Sequence, residues 1–252
     1  MPDAVSGIDD FYQTPFVILP LNEFQRLNQG ERIQLPATDL HHIRKSLRLR
    51  GEVLIHVTDG VGNVLPCKIA DDDVTASCGV LKPEKRPMQT LLIMAPVKKK
   101  HLEIMVQKIT ELGVDEIHFI NSDYSNAGLD KLERLEKIAY EACKQSKNPF
   151  LPLIKQFNAN LMEYPYEEES TYFWGDWHTG ETLDLKEGTG NMSNSGFGFM
   201  NGPEGGWSEK ERNFLKNRFP CINLSRNVLR SETAAVVGIY QLKQYIYYRS
   251  DH

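Results

Sequence analysis

Two segments near the C-terminus carry the residue types that could do chemistry: Asn201-Gly202-Pro203-Glu204-Gly205-Gly206-Trp207 and Leu224-Ser225-Arg226-Asn227-Val228-Leu229-Arg230-Ser231-Glu232-Thr233-Ala234. Each follows an apolar run that reads as a strand, and each opens into a helix. Glycine lets a backbone come close to a ligand, so Gly202, Gly205 and Gly206, with Pro203 stiffening the turn, can line a small-molecule site or simply form a turn. The segment lacks the Gly-Lys-Ser/Thr ending of a phosphate-binding loop, and its spacing and late position do not fit a dinucleotide fingerprint. Ser208 and Glu211 stand at the spacing of a capping box for the next helix, which accounts for both without a functional role.

Arg230 and Glu232 are the candidates for catalysis. Ser231 reads as the N-cap of a final helix running from Glu232 to about Tyr247, and the helix dipole alone favours a glutamate in that first turn. Arg230 has no such excuse. A helix N-terminus is already positive, so a cation beside it faces an anion or an electron-rich group. Two strand-to-helix turns of this kind in one sheet form a ligand cleft at the carboxyl ends of the strands.

The elements that must position these residues follow from the hydrophobic pattern. Residues 14–80 read as short strands and turns: Phe16–Leu19, Gly51–Val57 and Asn63–Ile69, with a hairpin signal at Asp59-Gly60-Val61-Gly62. Leu40, Ile43 and Leu47 have helical spacing. This half predicts a small, mostly β barrel or sandwich. The charged, proline-bracketed segment Lys82–Pro87 marks a boundary, giving domains over 1–82 and 88–252. Beyond it, strands at Leu91–Ala95, Glu116–Asn121, Tyr172–Trp174, Phe197–Met200 and Cys221–Leu224 alternate with helices at His101–Leu112, capped by Gly113, and at about 129–146. That alternation predicts a mostly parallel sheet with helices on both faces. Glu187–Gly196, rich in Gly, Asn and Ser, reads as a loop.

Composition narrows the function. At 252 residues, 40% hydrophobic and 25% charged, the chain is an ordinary globular protein. No apolar run approaches the roughly 20 residues of a membrane span, and Met1–Asp10 lacks the basic and apolar regions of a secretory signal. Cys67, Cys78, Cys143 and Cys221 are scattered without metal spacing, and the seven histidines form no ligand cluster, so neither a disulfide framework nor a metal is expected. The reducing cytosol is the simplest location. The net charge of −5 argues against indiscriminate nucleic-acid binding. Its distribution argues for local basic faces: residues 41–50 carry Arg44, Lys45, Arg48 and Arg50 with no acid, and Lys98-Lys99-Lys100-His101 follows later. His41 and His42 read as packing or surface residues, with RNA contact as the alternative.

Taken in order, several motifs resemble a known family. They are His41-His42-Ile43 with Leu47-Arg48-Leu49, Asp59–Gly62, Gln107-Lys108-Ile109-Thr110-Glu111-Leu112-Gly113-Val114, Glu141–Ser146, Gly202–Gly206 and Val228–Ala234. The chain resembles the bacterial 16S rRNA uridine N3-methyltransferases (the RsmE family) of the SPOUT class. The resemblance implies a PUA-like β-barrel domain that binds RNA, followed by an α/β SPOUT domain tied in a trefoil knot. It further implies S-adenosyl-L-methionine as cofactor, a homodimer, and 16S rRNA of the small ribosomal subunit as partner. The cofactor loops would include Trp174, Gly175, Gly202, Pro203, Glu204, Gly205, Gly206, Leu224, Ser225, Val228, Leu229 and Thr233. Arg230 would stabilise charge on a uracil oxygen, and Glu232, or Glu204, would orient the base or accept its proton. His42, Arg44, Lys45, Arg48, Arg50, Lys98, Lys99 and Lys100 would grip rRNA phosphates.

The chain departs from the family pattern at Ser225, where glycine is usual, at Asn227, where an arginine is usual, and across Phe173–Asp176. The expectation is that Ser225 crowds the cofactor loop and that Asn227 loses a charge. Two other readings stay open: a SPOUT methyltransferase acting on another RNA position, and a non-catalytic ribosome-assembly or RNA-binding relative.

Overall fold

A computed structural model describes residues 14–70, 72–77, 79–81, 88–125, 128–129, 131–176 and 196–250. The expected boundary at 82–87, the loop at 187–195, Cys78 and Met1–Asp10 lie outside the described residues. The chain divides into two compact units, one comprising residues up to 85 together with Cys143–Leu151, the other Arg86–Ala142 together with the chain from Pro152 onward.

In the first unit, strands β1 (Phe16–Ile18), β2 (Ile33–Gln34), β3 (Val53–Thr58), β4 (Val64–Ala70) and β5 (Asp73–Ala76) form one sheet in the order β1-β3-β4-β5-β2. β1 runs parallel to β3, and the other pairs are antiparallel. Helix α1 (Leu21–Asn28) buries Phe24 and Leu27 in a core with Val17, Ile55, Val57, Leu65 and Ile69. The β3–β4 turn is organised by Asp59, whose carboxylate accepts from the Val61 and Asn63 amides at 3.0 and 3.1 Å. The helical spacing at Leu40–Leu47 resolves differently from expectation. A short helix α2 (Ala37–His41) runs into a π-helical turn at His42–Ser46; Ile43 is buried, whereas Leu47 is exposed. The shift in helical pitch turns Leu47 off the apolar face. Lys144 forms a 2.6 Å ion pair with buried Asp39, so that motif residue serves to hold the first unit together.

The second unit is a six-stranded, wholly parallel sheet in the order β11-β9-β10-β6-β7-β8, with β6 (Gln89–Met94), β7 (Glu116–Asn121), β8 (Leu153–Asn160), β9 (Ser170–Gly175), β10 (Gly196–Asn201) and β11 (Cys221–Ile222). Side chains alternate between the two faces with the period of a strand. Leu92, Met94, Phe173, Phe197 and Phe199 meet α3 (Lys99–Glu111), α4 (Leu132–Ser146) and α6 (Ser231–Ser250) in one core. Ile93, Tyr172, Trp174 and Met200 meet α5 (Glu209–Arg218) through Leu215 on the other face. Gly113 ends α3 at φ +80°. The edge strand β8 was not expected, and α4 starts three residues later than predicted. No helix among the described residues is long and apolar enough to cross a membrane.

At the amino ends of the strands, His118 lies between Glu116 and Tyr164. Its Nε2 donates to the Glu116 carboxylate at 2.6 Å, so Nδ1 accepts from the Tyr164 hydroxyl at 2.5 Å. Lys155 donates to the same Glu116 oxygen at 2.8 Å.

Candidate active site

The opposite, carboxyl edge of the parallel sheet holds a cleft of about 610 Å³. Four loops build it: Gly175–Asp176 after β9, Asn201–Trp207 after β10, Asn223–Ser231 after β11, and Lys98 with His101 at the start of α3. The volume lies in the range of small-molecule and cofactor sites.

Local chemistry explains why these loops hold their shape. Gly206 sits at φ +73°, a conformation that L side chains rarely adopt. Its neighbour Gly202 lies against the Trp207 indole, where a Cβ would stand 3.2 Å from the ring. Asn201 is buried, and its Nδ2 donates to Ser231 Oγ at 2.8 Å and to the Ser231 carbonyl at 3.1 Å. Ser231 Oγ in turn donates to the Gly202 carbonyl at 2.6 Å. This bonding stitches the two chemistry-bearing loops together. It also corrects the expected N-cap: the Ser231 hydroxyl is committed to Gly202, and the Ala234 amide donates to the Arg230 carbonyl at 2.8 Å as the helix begins. Ser208 and Glu211 form the expected capping box of α5. Arg212 reaches from that helix to Asp176 at 2.7 Å, pinning the loop after β9.

The structure brings most of the anticipated residues together. Gly175, Gly202, Pro203, Glu204, Gly205, Gly206, Leu224, Ser225, Val228, Leu229, Arg230 and Glu232 all line the cleft. Two do not. Trp174 is fully buried in the α5-side core, and its indole Nε1 donates to the Phe219 carbonyl at 3.1 Å, because strand alternation points it away from the helix face that Phe173 occupies. Thr233 is exposed on α6 outside the cleft. Ser225 sits in its own loop without left-handed backbone strain. Its amide donates to Asn223 Oδ1 at 3.1 Å, and its hydroxyl accepts from the Asn227 amide at 3.1 Å. The serine therefore builds the turn that glycine would otherwise leave to the backbone.

The cleft's electrostatics are uneven. Arg230 is exposed, while the Glu232 side chain is 15% exposed. Glu232 Oε2 and Trp207 Nε1 are buried polar atoms with no hydrogen-bond partner among the described residues. His101 Nδ1 stands 3.3 Å from Glu204 Oε1 and 3.8 Å from Glu232 Oε1. Sequence reasoning gave Asp176, Arg212 and His101 no place in the cleft, and Asn201, though within the first segment, no partner. Their pairings are long-range and leave no local periodicity to detect.

Of the basic residues, His42, Lys45, Arg48 and Arg50 are exposed on the first unit. Arg44 is instead occupied: it pairs with Asp72 at 3.3 Å and donates to the Gly51 carbonyl at 2.8 Å. Lys98, Lys99 and Lys100 are exposed on the second unit at the α3 N-terminus. Cations there oppose the helix dipole, so they do not stabilise the helix.

A family model for the RNA methyltransferase domain matches residues 84–243. The chain is 30% identical over 169 residues to ribosomal RNA small subunit methyltransferase E 2 of Borreliella burgdorferi, covering 64% of this chain and 68% of that protein. Among solved structures it is similar, at TM-score 0.71 and 27% identity, to a protein of Porphyromonas gingivalis described as a probable rRNA-methyltransferase, covering 90% of this chain and 96% of that one. The ribosomal RNA small subunit methyltransferase E of Neisseria gonorrhoeae, solved bound to S-adenosyl methionine, shares the fold at TM-score 0.73 and 24% identity, with 91% of this chain and 96% of that one covered.

Proposed function

We propose that this chain, which belongs to the ribosomal RNA small subunit methyltransferase E family of RNA methyltransferases, uses S-adenosyl-L-methionine to methylate N3 of a uridine in 16S rRNA. The observation that carries this reading is an exposed Arg230 and a largely shielded Glu232 lining one glycine-rich cleft.

The cleft fits the cofactor on its own evidence. Gly202 and Gly206 keep the backbone bare, Leu224, Val228 and Leu229 supply apolar walls, and Trp207 Nε1 is a buried donor without a partner. These loops would hold the adenosine and the amino-acid end. When bound, S-adenosylmethionine supplies a methyl group already activated on a sulfonium.

The protein's own task is to make the uracil nitrogen nucleophilic. N3 carries a proton, and its lone pair becomes available as that proton leaves. Arg230 stabilises the negative charge that develops on a uracil carbonyl oxygen. Glu232 accepts the N3 proton. Glu204, more exposed and already facing His101, is less suited to that role. Holding base and methyl donor in one orientation lowers the barrier further. The N3 edge is normally paired, so the target uridine must be unpaired or extruded.

The division of labour follows the family. Residues 1–82 form a PUA-like RNA-binding domain, supported by the five-stranded sheet with exposed His42, Lys45, Arg48 and Arg50. Residues 88–252 form a SPOUT domain whose C-terminal part is knotted, a reading supported by the fully parallel sheet with the short β11 at its edge. The protein works as a homodimer in the cytoplasm. The dimer is supported by α6, which leaves the large side chains of Tyr240 and Tyr247 exposed. The test of the reaction is transfer of label from S-adenosylmethionine to small ribosomal subunits. Incorporation into 16S rRNA is expected; cofactor binding without transfer contradicts the reading.

A further inference from the structure

His101 was not anticipated in the cleft, yet one of its ring nitrogens is where two carboxylates converge. It is the third residue of α3, on an element far in sequence from both partners. Glu204 comes from the loop after β10 and Glu232 from the first turn of α6. Both oxygens face Nδ1, at 3.3 and 3.8 Å.

The geometry points to His101 as a positioning residue for Glu232. An ionised carboxylate can only accept hydrogen bonds. A bare Nδ1 lone pair between two such oxygens would be repelled by both, so Nδ1 carries the proton whether or not Nε2 does. That N–H donates to Glu204 Oε1 and attracts Glu232 Oε1 electrostatically. Glu232 Oε2 is buried with no partner among the described residues, so Oε1, beside the ring, is the oxygen a substrate can reach. The histidine thus fixes where Glu232 Oε1 stands to meet the uridine N3–H. The inference rests on the role given to Glu232 above. It differs from an exposed ion pair, which contributes little, because Glu232 is largely shielded.

Two experiments test it. In cofactor-free protein with ¹⁵N-labelled histidine, two-bond ¹H–¹⁵N correlations, with the His101 signals assigned by their loss in His101→Asn, should show a protonated Nδ1. A pyridine-like Nδ1 at neutral pH overturns the inference. In methyl transfer to small ribosomal subunits, His101→Ala should lower kcat about 10–100-fold, the scale of a misplaced catalytic group, with KM for S-adenosylmethionine little changed. His101→Asn, whose amide N–H reaches the same place, should restore most of the loss. Equal loss in both variants, or wild-type kcat in His101→Ala, overturns it; thermal melting of each variant separates misfolding from loss of positioning. Glu232→Gln is the control on the underlying reading. If it loses turnover while His101→Ala does not, the reading stands and the inference fails; if Glu232→Gln keeps turnover, both fail.

Discussion

At the scale of the residue, the account turns on charges placed where folding alone would not put them. Arg230 precedes a helix whose dipole it opposes and is exposed, so removing it should leave the fold intact. Arg230→Ala is expected to abolish turnover, by about 100-fold or more as for loss of a transition-state charge donor, while calorimetry shows S-adenosylmethionine affinity nearly unchanged; near-wild-type turnover would show that the charge on uracil is met elsewhere. The opposite end of the sheet makes a separate prediction about stability. Burial pushes the His118 imidazole below its ordinary 6.5, and this outweighs the opposing pull of the Glu116 carboxylate. Burial also pushes the Glu116 carboxyl up, but hydrogen bonds from Lys155 and His118 hold it below its ordinary 4.5. Both groups therefore bind protons less readily folded than unfolded. Stability from His118 is complete above pH 6.5 and is lost as pH falls through its folded value, and Glu116 adds to the loss below pH 4.5. Melting temperature should thus fall from pH 7 to pH 5, and less steeply in His118→Asn. An equal slope in the variant would place the titration in other groups.

At the scale of the element, what the sequence showed depended on whether the signal was local. The glycines at 202–206, the Ser208–Glu211 capping box and the helical face of α3 are each carried by residues a few positions apart, and each was legible. The edge strand β8 was not, because Leu153–Asn160 is short of apolar residues and an edge needs few. Trp174 was misplaced because reading a strand's end does not say which face its last residue takes. Leu40 and Ile43 lie in helical turns as their spacing suggested, but Leu47 falls just past the π-turn and is exposed. Helix α6 offers a direct test of packing. Gly238 lies inside it, and a Cβ there would overlap the Phe199 ring. Alanine would gain about 1 kcal/mol of helix propensity, but overpacking a core this tight costs more. Gly238→Ala should lose about 1–2 kcal/mol net, a drop of about 2–8 °C in Tm. A rise in Tm would mean that the Phe199 contact is looser than it looks.

At the scale of the whole molecule, the sequence hid how the two units share the chain. Cys143–Leu151 packs with the first unit although it begins in the last turn of α4, and pairs such as Lys144 with Asp39, 105 residues apart, are invisible to any local pattern. The cleft was legible in its contiguous loops and not in the long-range partners that shape it, Asp176 with Arg212 and His101 with the two glutamates. A homodimer should appear by light scattering as twice the chain mass, and Tyr240→Glu on α6 should shift it towards monomer; a monomeric wild type would remove the dimer from the account. The measurement that bears most directly on the central claim is nucleoside mass analysis of 16S rRNA after incubating small ribosomal subunits that lack the modification with this protein and labelled S-adenosylmethionine. The account predicts 3-methyluridine carrying the label. Label in a ribose 2′-O-methyl or a methylated guanine would contradict it, and so would cofactor binding with no labelled nucleoside.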